Sequence, residues 1–294
     1  MIKNLSKKIK VIAIVGPTAS GKTSYGVELA KEVDGEIISA DSRIVYKGFN
    51  IGAAKPTKEE MQGIPHYLID VVEPTFDYSA GLYKKQASEI INDITNRGKI
   101  PIIVGGTGLY TDILLKGFDL PCINPDRELR KKLEKYSKEE LYAKLKEKDS
   151  KGAKVIDSND KKKIIRALEI INLTGKTLEL ARGKSESEYE VEWIGKNFER
   201  NILYQRINDR VDLMVENGLI DETKSLLCRY GRIYNITNTI GYREIIQYLD
   251  GKLSLEESLD LLKKNTRNYA KRQLTWFRKN PEIKWDVYPE KLKK

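Results

Sequence analysis

The sequence predicts an α/β fold: a parallel sheet core with helices on both faces, plus a helical insertion domain and a helical C-terminal part. Three observations predict it. Short β-branched runs bounded by glycine precede helix-patterned segments, as where "KVIAIV" (10–15) runs into "GPTASGKT" (16–23). That strand-loop-helix order repeats, which leads to an open sheet with crossover helices. From 126 to 182 the chain then turns charged, helical and strand-poor.

Taken in order, "KVIAIV" is a buried parallel strand. "KTSYGVELAKEV" has helical spacing, with Tyr25, Leu29 and Ala30 on related faces. "GEIISADS" is a second strand ending in polar residues, and "AGLYKKQASEIINDITNRG" is an amphipathic helix closed by Gly98. "KIPIIVGGTG" is a third buried strand ending in a second glycine turn. Beyond Pro121, Leu129, Leu133, Leu141 and Leu145 recur at helical spacing, and a further helix follows with Asn159 or Asp160 as its cap. "ARGKSESEYEVEW" reads as a polar connection, and "FERNILYQR" as another strand, apolar at Ile202, Leu203 and Tyr204. Helices dominate from Arg206 onward. The expected boundaries are 1–122 for the first part of the core, 123–197 for the insertion and 198–294 for the second part.

The 294 residues suffice for two domains or for one with an insertion, and 40% apolar content supports a buried core. Cys122 and Cys228, the two cysteines, lack metal spacing and suggest a reducing compartment. The apolar run after the basic N-terminus is too short for a signal segment, and no stretch is apolar enough to span a membrane. A cytoplasmic protein is expected, with a monomer as the simplest state and no obligate protein partner. The net charge of +10 is concentrated. Between Arg127 and Arg166 there are 15 Lys or Arg against 8 Asp or Glu; Lys263 to Lys279 holds 7 basic residues and no acid. Two such zones favour a nucleic-acid partner over general solubility.

"GPTASGKT" fits G-x-x-x-x-G-K-[ST], so the core is of the P-loop type. Gly16, Pro17, Thr18, Ala19, Ser20, Gly21, Lys22 and Thr23 would wrap phosphate oxygens, with the following helix N-terminus adding positive potential. Lys22 would neutralise a phosphate, and the Thr23 hydroxyl could hold Mg²⁺. Such a loop also serves ATP-binding proteins, and a small-molecule kinase is the alternative. Asp41, ending the second strand, could ligate Mg²⁺ or act as a general base. Thr107, in "GGTGLY", lies at the end of a strand beside the first, the edge where ligands bind. His66 is the sole histidine, which favours a structural or positioning role. In the tail, Tyr269, Trp276 and Phe277 are core candidates or stacking platforms for unpaired bases.

Together "GPTASGKT", "SADSRIVYKGFNIGAAKP", "GIPHYLID", "IPIIVGGTGLY", "NDKKKIIRALEIINLTGKTL", "TIGYREI" and "TRNYAKRQLTWFRK" resemble the tRNA dimethylallyltransferases, also called tRNA isopentenyltransferases. The resemblance spans nearly the whole chain. It implies transfer of a dimethylallyl group from dimethylallyl diphosphate to N6 of the adenosine 3′ of the anticodon, in tRNAs reading U-starting codons. It implies that Asp41 accepts the N6 proton, that Thr107 sits near the reacting centre, and that Arg206 or Arg210 meets the diphosphate. Mg²⁺ is the implied cofactor. The implied tRNA contacts are Asp41, Ser42, Arg43, Ile44, Thr107 and Arg130; Lys162, Lys163, Ile164, Ile165 and Arg166; Asn238, Thr239, Ile240, Gly241, Tyr242 and Arg243; and Lys271, Arg272 and Gln273. The chain departs from the pattern at Ala53, where the family often has Thr. It lacks zinc-finger cysteines after Trp285, like the short bacterial form.

Overall fold

The computed structural model describes residues 8–117, 126–181 and 186–287. Among them lie strands β1 (Ile9–Val15), β2 (Gly35–Ser39), β3 (His66–Tyr67), β4 (Ile100–Gly105), β5 (Tyr189–Gly195) and β6 (Lys284–Trp285). They form one parallel sheet in the order β3-β2-β4-β1-β5-β6. The helices are α1 (Lys22–Glu32), α2 (Lys58–Met61), α3 (Ala80–Asn96), α4 (Gly108–Leu115), α5 (Arg127–Glu134), α6 (Lys138–Lys148) and α7 (Ser150–Lys154). They continue with α8 (Lys161–Thr174), α9 (Leu178–Ala181), α10 (Arg200–Glu216), α11 (Leu219–Tyr230), α12 (Tyr234–Thr237), α13 (Tyr242–Leu249) and α14 (Leu255–Phe277). No helix among the described residues is long and apolar enough to cross a membrane.

Two compact units emerge. The first draws on the chain up to Tyr78, on Gln86–Thr111 and on the chain from Glu188; the second on Ser79–Lys85 and Asp112–Ser187. In the first, side chains alternate across the strands. Ile14, Ile37, Ile102 and Val104 pack with Val27 and Ala30 of α1, while Ala13, Ile38 and Ile103, one residue over, are equally buried. Both faces are therefore covered, which is why these strands read as continuous apolar runs. A further cluster joins Val45, Tyr46 and Phe49 to Leu219, Ile245 and Leu262, with Phe49 set edge-on to Tyr242 at 4.8 Å between ring centroids. The second unit is helical around Leu133, Leu141, Leu145, Ile164 and Leu168, with Leu129 packed at its edge.

Several expectations need correction. Residues 189–195, expected inside a 123–197 insertion and up to Trp193 in a polar connection, are β5 and pair with β1 along its whole length. Tyr189 and Trp193 are buried while Glu190 and Glu192 point outward, the period of two of a half-buried strand. "FERNILYQR" is not a strand but the start of α10, because Leu203, Ile207 and Val211 bury one helical stripe and Ile202 is exposed. The chain also returns to the sheet as β6, which no sequence pattern announced. Asp160, not Asn159, caps α8 by accepting from the Lys163 N–H at 3.1 Å. Gly98 follows α3 at φ +78°, as its expected closing role requires. Cys122 and the 122/123 boundary lie outside the described residues, whereas Cys228 is an exposed free thiol.

Candidate active site

β2, β4 and β1 are neighbours, so the loops leaving their C-terminal ends converge. Val15 lies level with Gly105, and Ser39 with Val104. The loop after β1 takes the shape its glycines allow. A Cβ on Gly16 would meet the Lys196 carbonyl oxygen at 2.1 Å, and Gly21 adopts φ +78°. Ala19 enters the left-handed region at φ +63° without being glycine. α1 then starts at Lys22 with no side-chain cap, leaving its first N–H groups for an anion.

Cations surround this loop. Burial pulls the Lys22 ammonium down to about 7, the nearby Arg210 charge adds to that, and Asp41 partly opposes it. Arg206 and Arg210 stand one turn apart on α10. Arg206 donates Nε to the Ala19 carbonyl at 2.9 Å, and Arg210 donates Nη1 to the Thr18 hydroxyl at 3.3 Å. Both therefore reach the loop; Arg210 is the one held below its ordinary range by burial and by Arg206. Crowded, desolvated cations of this kind form a receptor for a multiply charged anion.

Asp41 follows β2, and its Oδ1 accepts from the Arg43 N–H at 2.7 Å, which fixes the carboxylate. Thr107 braces the same turn: its N–H donates to the Ala40 carbonyl at 3.1 Å and its Oγ1 accepts from the Ser42 N–H at 3.1 Å. Tyr269 of α14 lies beside the Thr107 side chain, and its phenol is pushed up to about 12, by burial first and then by the Asp41 charge. Gln273, one turn on, clasps two loops. Its Oε1 accepts from the Thr18 N–H at 2.9 Å, and its Nε2 donates to the Gly106 carbonyl at 2.9 Å.

Thr18 to Thr23, Asp41, Arg43, Arg206, Arg210, Tyr269 and Gln273 line one cavity of about 510 Å³. Ile44, Asn238, Thr239, Ile240, Gly241, Arg243 and Arg272 line it too, as does His66. The His66 Nδ1 lies 2.8 Å from the Ile64 carbonyl, which makes it the donor, and burial keeps the ring below its ordinary range. Its buried Nε2 has no hydrogen-bond partner among the described residues. Mg²⁺ fits the donor chemistry here. The Thr23 hydroxyl and the Asp41 carboxylate line the same cavity and are hard oxygen donors. Mg²⁺ in phosphate sites takes one or two such groups and completes its shell with phosphate and water.

Other expected RNA contacts fall elsewhere. Tyr242 is completely buried and donates its hydroxyl to Glu222 at 2.8 Å, so it reaches no backbone outside the core. Ile164 and Ile165 belong to the apolar centre of the helical unit, since they occupy the inward stripe of α8. Lys162 and Lys163 beside them are exposed, as is Lys271 on α14, while Arg130 and Arg166 converge on Glu169. Gln273 is buried between loops rather than facing outward. Of the three tail aromatics, Phe277 is core, Trp276 is exposed and Tyr269 faces the cavity. The positions of Tyr269 and Gln273 carry no local signal, because their partners lie more than 150 residues away; Gln273 alone is 255 residues from Thr18.

The chain is similar to known proteins along nearly its whole length. A family model described as IPP transferase matches residues 44–280, and one described as isopentenyl transferase matches residues 9–75. A tRNA dimethylallyltransferase of Thermoanaerobacter sp. (strain X514) is 49% identical, covering 97% of this chain and 96% of its own. The crystal structure of a tRNA isopentenylpyrophosphate transferase from Bacillus halodurans superposes with a TM-score of 0.72 at 47% identity, over 95% of this chain and 89% of that one. A eukaryotic dimethylallyltransferase acting on tRNA superposes with a TM-score of 0.78 at 31% identity, over 91% and 69%. With its loops, carboxylate and cations lining one cavity and its relatives matching over nearly its whole length, this chain belongs to the IPP transferase family.

Proposed function

We propose that this chain transfers a dimethylallyl group from dimethylallyl diphosphate to the N6 amine of the adenosine 3′ of the anticodon in tRNA, in the cytoplasm. One observation carries the reading: a desolvated cationic cradle and the Asp41 carboxylate line the same cavity. A prenyl transfer needs both. The allylic C–O bond breaks as charge develops on diphosphate, and Lys22, Arg210 and the N-terminus of α1 neutralise that charge. The adenine N6 forms a bond to the allylic carbon and loses a proton, which passes to the Asp41 carboxylate. Arg43 N–H and the Thr107 brace fix that carboxylate's direction. Mg²⁺, held by the Thr23 hydroxyl, would add Lewis-acid charge to the leaving diphosphate and leave the Asp41 carboxylate free to take the proton. A base reaches such a cavity only by leaving its stack.

The names of the relatives do not favour the kinase alternative, since they are transferases acting on tRNA. The deciding experiment incubates purified protein with labelled dimethylallyl diphosphate, Mg²⁺ and unmodified tRNA. Label is expected in tRNA. Its absence, together with phosphate transfer from ATP to a small acceptor, would replace this reading by the kinase.

A further inference from the structure

Within the helical unit, Glu169 of α8 is completely buried, yet its carboxylate accepts four hydrogen bonds. Arg130 of α5 straddles it, Nε to Oε1 at 2.9 Å and Nη2 to Oε2 at 2.8 Å. Arg166, one turn earlier on α8, donates Nη1 to Oε2 at 2.5 Å, and the Asp126 N–H donates to Oε1 at 2.7 Å. Two guanidiniums on one carboxylate leave a net positive charge. Each arginine keeps about a third of its side chain in solvent, 37% and 33%. Among the described residues, Nη1 of Arg130 and Nε and Nη2 of Arg166 donate to nothing else. The exposed Lys162 and Lys163 stand one turn before Arg166.

We infer that Glu169 is a positioning residue that holds Arg130 and Arg166 side by side as a two-pronged receptor for an RNA backbone phosphate. The planar fork of a guanidinium suits phosphate oxygens, but only when its long stem is fixed. A tie between α5 and α8 alone would need one arginine, and a buried ion pair is a weak source of stability. Glu169 instead collects two and leaves donors of both unspent. The inference rests on the reading that the chain acts on tRNA.

A reading in which charge alone governs binding makes the opposite prediction. Glu169→Gln raises the net charge by one unit, so charge alone would tighten RNA binding. Loss of positioning weakens it. The experiment measures the Kd of unmodified tRNA at fixed salt, with KM and kcat of transfer, for the full chain carrying E169Q, R130Q/R166Q or all three changes. E169Q is expected to raise Kd and KM for tRNA about tenfold, with kcat and KM for dimethylallyl diphosphate unchanged. R130Q/R166Q should weaken binding at least as much, and E169Q should add nothing in the triple variant. E169Q binding as tightly as the unaltered chain overturns the inference. So does wild-type affinity in R130Q/R166Q, which is readable even where E169Q does not fold. An unaltered chain that binds tRNA but transfers no label sinks the proposed reaction and leaves the binding series to be judged on its own.

Discussion

In the proposed reaction Asp41 would take the N6 proton on the one side of its carboxylate that its surroundings leave open. Oδ1 is tied to the Arg43 N–H, and the turn beneath is braced by Thr107. Replacing Asp41 by Ala removes the proton acceptor but leaves the cationic cradle, so transfer should fall about a thousandfold while tRNA affinity holds. A rate near wild type in a single-turnover assay would remove Asp41 from the chemistry. Lys22 gives a prediction in pH. Its ammonium titrates near 7 in the unliganded cavity, so above that pH it is mostly neutral and must gain a proton to meet a diphosphate. Affinity for inorganic pyrophosphate should therefore weaken as pH rises past about 7, with uptake of up to about one proton beyond that of a Lys22→Met variant. Calorimetry at pH about 8 in two buffers of different ionisation enthalpy measures it. The same lowered value makes this group's contribution to folding stability rise between about 7 and 10.5, because the unfolded chain binds the extra proton there.

α8 opens with three lysines at the end of a helix that favours negative charge, and no acid lies in its first turn. Only the Asp160 cap offsets this locally, with Lys163 paired to it at 2.9 Å. Such a placement disfavours the helix and suits an anionic partner. Lys162→Glu should thus act in opposite directions, raising the melting temperature slightly and weakening tRNA binding roughly fivefold with a shallower salt dependence. A thermal scan and a salt titration of Kd check both signs. Elements of this kind were largely legible in the sequence. β1 and β4 announce themselves as near-continuous apolar runs because both their faces are covered, and β2 by its Ile37–Ile38 pair despite the buried Glu36; the polar ends mark the site. "YEVEW" does carry the period of two of a half-buried strand, but it directly continues the polar, serine- and glutamate-rich run "ARGKSESE"; "NILYQR" reads as extended because three adjacent apolar residues, Ile202 to Tyr204, sit on different helical faces. Asp41 and Thr107 were readable from position at strand ends. The clasp of Gln273 and the place of Tyr269 were not, since each depends on how α14 folds back over loops from the other end of the chain.

For the molecule as a whole, the proposed reaction would draw RNA-phosphate contacts from the exposed basic residues and its chemistry from the cavity, so the salt dependence of tRNA binding should greatly exceed that of dimethylallyl diphosphate binding. The clasp across Gln273 has a consequence in time. The loops after β1, β2 and β4 are encoded by residue 107, but the arginines of α10 and the amide of α14 that complete the cradle come 183 or more residues after residue 23. Contacts of such separation close late, after the loop entropy between them has been overcome. A nascent chain that has formed its first strands therefore has no finished anion receptor, and ligand cannot guide its early collapse. Pyrophosphate added during refolding should leave the folding rate unchanged and slow unfolding instead, so that the ligand guards the mature enzyme against opening without helping to build it.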